Sequence, residues 1–159
     1  MTYNDYCDAA IEQHIGMNGQ WIPLGYNNVY WSTARDMARF GLLILNEGVW
    51  DEKVVLDDKS YIEAMTSPSQ DLNPSYGYLW WLNGQSKIIP PSIPTAFNLS
   101  LAGNAPSDLF AAMGKNGQFV DIVPSEDLVV IRMGEAPDGS LVPITFHDEM
   151  WKRIGEVLE

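Results

Sequence analysis

The sequence predicts an α+β fold in which an antiparallel sheet of three to four strands has helices before and after it. Three observations carry this. Phe119, Val120, Ile122 and Val123 form one β-rich run and Leu128 to Met133 a second, joined by Pro124-Ser125-Glu126-Asp127, whose proline cannot donate to a ladder. Just upstream, Asn116-Gly117 is a strong hairpin signal, because both residues tolerate the positive φ of a type I′ turn. Apolar positions at helical spacing precede and follow this region. Helices, then strands, then a helix is the order of an antiparallel α+β domain.

In chain order, Thr2 to Ile15 reads as a helix, with Tyr3, Tyr6, Cys7, Ala10, Ile11 and Ile15 as its stripe and Gly16 as its stop. Met17 to Tyr30 has no period and reads as a loop. Ser32 or Thr33 caps a second helix whose Met37, Phe40, Leu43 and Ile44 recur at three and four, ended by Asn46-Glu47-Gly48. Asp57-Asp58 caps a third, through Ser60, Tyr61, Ala64 and Met65, stopped by Pro68. Tyr76 to Leu82 is aromatic and β-prone, so it is expected to be a strand. Ile88 to Pro106, rich in proline, is a long irregular excursion of the kind that often carries function. Thr145 to Leu158 gives the last helix, with Phe146, Met150, Ile154, Val157 and Leu158 on its apolar side. No repeat or linker divides the chain. Residues 1–159 are expected to form one domain, 1–74 mainly helical and 75–159 holding the sheet, the long loop and the terminal helix.

The 159 residues, 46% hydrophobic and 19% charged, can bury a sizeable core. A formal net charge of −12 repels phosphate backbones and anionic lipid, so neither nucleic acid nor a membrane surface is an expected partner. No stretch is apolar enough to span a membrane, and no basic region followed by an apolar one opens the chain, so no signal peptide is expected and the compartment stays open. One cysteine, Cys7, rules out an internal disulfide. The two histidines, His14 and His147, lack ligand partners one turn on, so no metal or other cofactor is expected.

The candidate site is the Gly-bracketed bend Met113, Gly114, Lys115, Asn116, Gly117 and Gln118, where side chains leave the sheet and backbone N–H groups become available to a ligand. Tyr78, Trp80 or the 88–106 loop are expected to supply aromatic walls. Lys115 reads equally as a ligand-binding cation and as a solvated lysine in a tight turn.

Tyr30-Trp31-Ser32-Thr33-Ala34-Arg35-Asp36-Met37-Ala38-Arg39-Phe40-Gly41, then Ser75 to Trp81, then Gly114 to Gln118 with the Ile122-Val123-Pro124 and Leu128-Val129-Val130-Ile131 hairpin, resemble the serine β-lactamase and penicillin-binding protein-like family, in its class C and esterase-like branch. The resemblance covers about Tyr3 to Gly134 and implies only the carboxyl-terminal half of such an enzyme, hence a partial β-lactamase/transpeptidase-like fold. A full-length parent could be periplasmic or secreted.

That family's chemistry uses a Ser-X-X-Lys nucleophile. Three residues before the five lysines stand Trp50, Leu56, Gly84, Ala112 and Glu149, so no catalytic residue is assigned here. Ser32 to Arg35 has the spacing, but arginine cannot act as the base. Tyr26-Asn27-Asn28 spells the family's Tyr-X-Asn out of its place and reads as coincidence. The third element, Lys-Thr-Gly, binds a substrate carboxylate and helps form an oxyanion hole; either Lys115-Asn116-Gly117 or Ala112-Met113-Gly114 can occupy it. The implied function is the carboxyl-terminal part of a serine hydrolase acting on an ester, amide or lactam, inactive alone. The alternative is a non-catalytic, self-associating or ligand-binding domain built on that scaffold. Its partners would be the missing amino-terminal half or a second copy.

Overall fold

The computed structural model describes residues 1–135 and 137–158. Helix α1 (Tyr3–Cys7) runs through a π-helical turn (Asp8–Glu12) into α2 (Gln13–Ile15), which Gly16 ends at φ 66°. A hairpin of β1 (Gly19–Leu24) and β2 (Asn27–Ser32) follows, then α3 (Ala34–Leu45), the short hairpin β3 (Val49–Trp50) and β4 (Lys53–Val54), and α4 (Lys59–Met65). The main sheet comprises β5 (Trp81–Leu82), β6 (Phe110–Gly114), β7 (Gln118–Val123) and β8 (Leu128–Arg132), in that order and antiparallel throughout. Helix α5 (Ile144–Leu158) follows the sheet. The α+β architecture with a four-stranded antiparallel sheet is therefore as the sequence predicts. No helix among the described residues is long and apolar enough to cross a membrane.

Alternation along the strands gives the sheet two apolar faces. Val120 and Ile122 of β7, with Trp80, Leu82 and Ile44, pack one face against α3 and α4; Leu109, Val123, Trp81, Ile88 and Leu101 pack the other around Trp151 of α5. Gly41 lets α3 lie close on β8, since a Cβ there would sit 2.5 Å from Val129 Cγ1. The 88–106 excursion is irregular as expected, and two asparagines peg it. Asn83, 5% exposed, donates to the carbonyls of Ala102 and Pro106 and accepts from the Ala102 N–H, each at 2.9 Å. Asn73 exchanges two bonds with the backbone of Ile89.

Thr33 is the cap of α3: its hydroxyl accepts from the Asp36 N–H at 3.2 Å and donates to the Asp36 carboxylate at 2.6 Å. That donated bond, aided by Arg39, holds the Asp36 carboxyl below its usual range. Thr33→Val is expected to lower stability by about 1 kcal/mol at pH 7. Because the folded pKa is depressed, Asp36's contribution is complete above the unfolded value near 3.9 and fades as pH falls through the lower folded value. The difference between wild type and variant in urea melts should accordingly shrink below about pH 4.

Three expectations are corrected. Residues 17–30 are not a loop: β1 and β2 pair from Gly19↔Ser32 to Leu24↔Asn27, and Gly25, at φ 64°, provides the turn. The strand expected at 76–82 shrinks to Trp81–Leu82, because Leu79 stands at φ 67° and the Tyr78 N–H is drawn to the Met65 carbonyl. The inner side of α5 is centred on His147 and Trp151, both essentially unexposed, whereas Val157 and Leu158 are solvent-facing. Trp151 Nε1 and His147 Nε2 each lie 2.8 Å from Asp121 Oδ2, a buried acceptor in the middle of β7 that orients that face.

Candidate functional site

The bend between β6 and β7 is built from the residues that signal it. Asn116 (φ 65°) and Gly117 (φ 73°) both occupy the left-handed region, as the Asn-Gly pair predicts. Glycine is required at 117 on two counts, since a Cβ would also meet Arg132 Nη1 at 2.9 Å and Pro143 Cγ at 3.2 Å. Arg132, at the end of β8, fastens the bend: Nη1 donates to the carbonyls of Asn116 (3.0 Å) and Gly117 (2.9 Å), and Nη2 to that of Glu135 (2.7 Å). Its guanidinium carbon lies 5.2 Å from the Phe146 ring centre, so the brace rests on α5. Gln118 adds a second tie, its amide donating to the Gly134 carbonyl and accepting from the Gly134 N–H. The side chains of Gln118 and Arg132 are thus committed to the backbone. Lys115 and Asn116 are exposed.

Backbone polarity of β6 can be followed from one bond. Asn83 N–H donates to the Leu109 carbonyl, so that carbonyl and, at every second position, the N–H and C=O of Ala111 and Met113 point towards β5, while the Leu109 N–H turns back to the Pro106 carbonyl. Ala111 pairs with Trp81. In the same register Met113 would pair with Leu79, but the left-handed turn at Leu79 takes the chain away before it can. Among the described residues, the β5-facing edge of β6 at Met113 is left without a strand partner, beside the bend. Ala112-Met113-Gly114 lie on the strand, and Lys115-Asn116-Gly117 form the turn after it.

Of the expected aromatic walls, Tyr78 is half-exposed and its ring lies 5.9 Å from that of Tyr61 on α4. Trp80 is buried against Phe40 and Phe110, a core position behind the sheet. The proline-rich excursion and the start of α5 enclose a separate apolar groove of about 310 Å³, lined by Ile88, Pro90, Phe97, Leu99, Leu141 and Ile144. Sequence reasoning missed Arg132 and Leu79. Nothing local marks either: one acts across sixteen residues, and the other is an ordinary leucine in an unusual conformation.

No model of a known protein family matches the chain, and no curated protein matches it by sequence. A solved structure does match: a Bacillus anthracis protein provisionally named a 6-aminohexanoate-dimer hydrolase, with TM-score 0.67 and 23% identity over 96% of this chain. The match covers 37% of that protein, so the chain spans little more than a third of its length. The likeness is one of fold: the chain has a partial β-lactamase-like α+β fold with a four-stranded antiparallel sheet.

Proposed function

We propose that this chain is the carboxyl-terminal part of a β-lactamase-like serine hydrolase, acting on an ester, amide or lactam once a segment bearing Ser-X-X-Lys completes it. The observation that carries this reading is the unpaired edge of β6 at Met113 beside the braced 115–117 bend, on a fold shared with a named hydrolase. In this reading Ala112-Met113-Gly114 takes the place of the third family element. The supplied serine attacks the substrate carbonyl, and the N–H of Met113 donates to the oxygen as it gains negative charge. The Lys115 ammonium attracts a substrate carboxylate, Gly114 and Gly117 keep the approach free of side chains, and Tyr78 forms a wall. Asn116 and Gln118 hold the bend's shape. The name of the Bacillus anthracis protein denotes a linear amide, which fits the amide member of the proposed substrate class.

The chain alone is expected to hydrolyse neither a chromogenic cephalosporin nor a short-chain nitrophenyl ester, because no activated serine can be assembled from it. Intact-mass analysis after a β-lactam or a fluorophosphonate should give an unchanged mass; an acyl or phosphonyl adduct on a serine would overturn this. A reading frame that continues upstream of Met1 through Ser-X-X-Lys supports the hydrolase reading, and the longer polypeptide should then be acylated at that serine. A stop codon directly upstream favours the non-catalytic alternative.

A further inference from the structure

The β1–β2 hairpin buries little of its apolar surface. Ile22, Leu24, Val29 and Trp31 are all at least 36% exposed, and Tyr26 stands free at the tip. The chain carries 9 Lys and Arg against 21 Asp and Glu, yet none lies between His14 and Arg35. A charge-free surface rich in Trp and Tyr has the composition of an interface core.

Its two edges differ. On β1, the Trp21 N–H donates to Asn4 Oδ1 at 2.7 Å and the Trp21 carbonyl accepts from Asn4 Nδ2, so that residue points away from β2. Pro23, two positions on, points the same way and has no N–H to offer. The β1 edge is therefore closed by a side chain and a proline, two devices that prevent strand addition. Trp21 pairs with Tyr30, so Tyr30 likewise points its N–H and C=O away from its partner strand, and so does Asn28. No strand among the described residues pairs with that side of β2. One edge is shut and the other is open.

We infer that the open edge of β2 is a self-association surface, where a second copy of this chain adds its own β2 antiparallel about a two-fold axis. An antiparallel edge is its own complement: with Tyr30 opposite the partner's Tyr30, Asn28 meets the partner's Ser32, and the outward N–H and C=O groups pair. In that register Val29 lies across from the partner's Trp31, an aromatic against a β-branched side chain on the same face. A second copy is the occupant because this edge is its own complement, and because a stretch without Asp, Glu, Lys or Arg adds no local repulsion to the net charge of −12 that each chain carries. The inference is independent of the serine hydrolase reading, since it uses no residue of the bend.

Sedimentation velocity and light scattering should show a dimer at tens of micromolar. V29K/W31K and V29E/W31E each place like charges opposite one another and should be monomeric with unchanged far-ultraviolet circular dichroism; mixing the two should restore a heterodimer. In the wild type, the amides of Asn28 and Tyr30 should gain protection from hydrogen exchange as concentration rises, a readout that needs no variant. A wild-type monomer at these concentrations, a dimer that survives in either variant, or a dimer whose Asn28 and Tyr30 amides exchange freely would each overturn the proposal. None of these outcomes bears on acylation of a serine, so the hydrolase reading stands or falls separately.

Discussion

Asp121→Ala is expected to destabilise the protein by about 2–4 kcal/mol, because it removes the acceptor that two buried donors share and leaves a cavity in its place. Asp121 and His147 are wholly unexposed and Trp151 is 1% exposed. Trp151 Nε1 donates to Asp121 Oδ2 at 2.8 Å, and with its proton on Nε2, His147 donates to the same oxygen at 2.8 Å. Without the carboxylate, Trp151 Nε1 can turn to His147 Nε2, 3.2 Å away, only if the imidazole proton moves to Nδ1, which has no partner, so in either tautomer a buried N–H is left unsatisfied at about 1–3 kcal/mol, and a cavity is added. That is a large share of the roughly 5–15 kcal/mol by which a folded protein of this size is stable. Asp121→Asn keeps an acceptor oxygen and should recover part of the loss. Chemical denaturation of wild type, D121A, D121N and W151F gives the answer; a change below about 1 kcal/mol for D121A would show that the triad is replaceable.

Gly77→Ala is expected to cost about 2–3 kcal/mol and to disturb the bend that frees β6. The cause is contact rather than conformation, since Gly77 is not among the positive-φ glycines. A Cβ at 77 would fall 2.1 Å from the Met65 carbonyl oxygen and 2.9 Å from that of Ser67, both backbone atoms that no rotamer change can move. The same Met65 carbonyl accepts the Tyr78 N–H at 3.0 Å, and the Gly77 N–H donates to Trp80 at 2.8 Å. Relieving the clash must therefore move the end of α4 or break the turn through Leu79. Amide shifts of Tyr78, Leu79 and Met113 should change together with the lowered melting temperature. If stability falls while Met113 stays unperturbed, the two elements are not coupled as the register implies.

Much of the fold is legible because particular residues leave little choice. Asn116-Gly117 announces its own backbone angles, Pro124 ends a strand by lacking a donor, and the spacing of Met37, Phe40, Leu43 and Ile44 permits only a helix. The β1–β2 hairpin escapes notice because Gln20, Pro23, Asn27 and Asn28 have low strand propensity and its apolar residues remain in water, so no buried face imposes an alternation. Gly25 was the available signal. The bend at 113–118 could be located from its glycines, whereas its brace could not, because Arg132 reaches it only after β8 has paired. His147 fails as a metal ligand by spacing, but with Trp151 one turn on it marks the inner side of α5.

The order of the main sheet, β5-β6-β7-β8, is also the order of the chain. Each strand after β6 finds its neighbour across a connection of three or four residues, so the entropy of closing those loops is small and their contacts can form early. The exception is Asp121, whose two donors lie on α5, 26 and 30 residues further on. During synthesis the meander can therefore assemble with a carboxylate still open to water on one face, and docking of α5 is the step that seals it. That makes the seating of α5 the late event of folding, with Asp121 as its reporter: truncating its partners should leave the rate of hairpin formation unchanged while sharply raising the rate at which the domain comes apart.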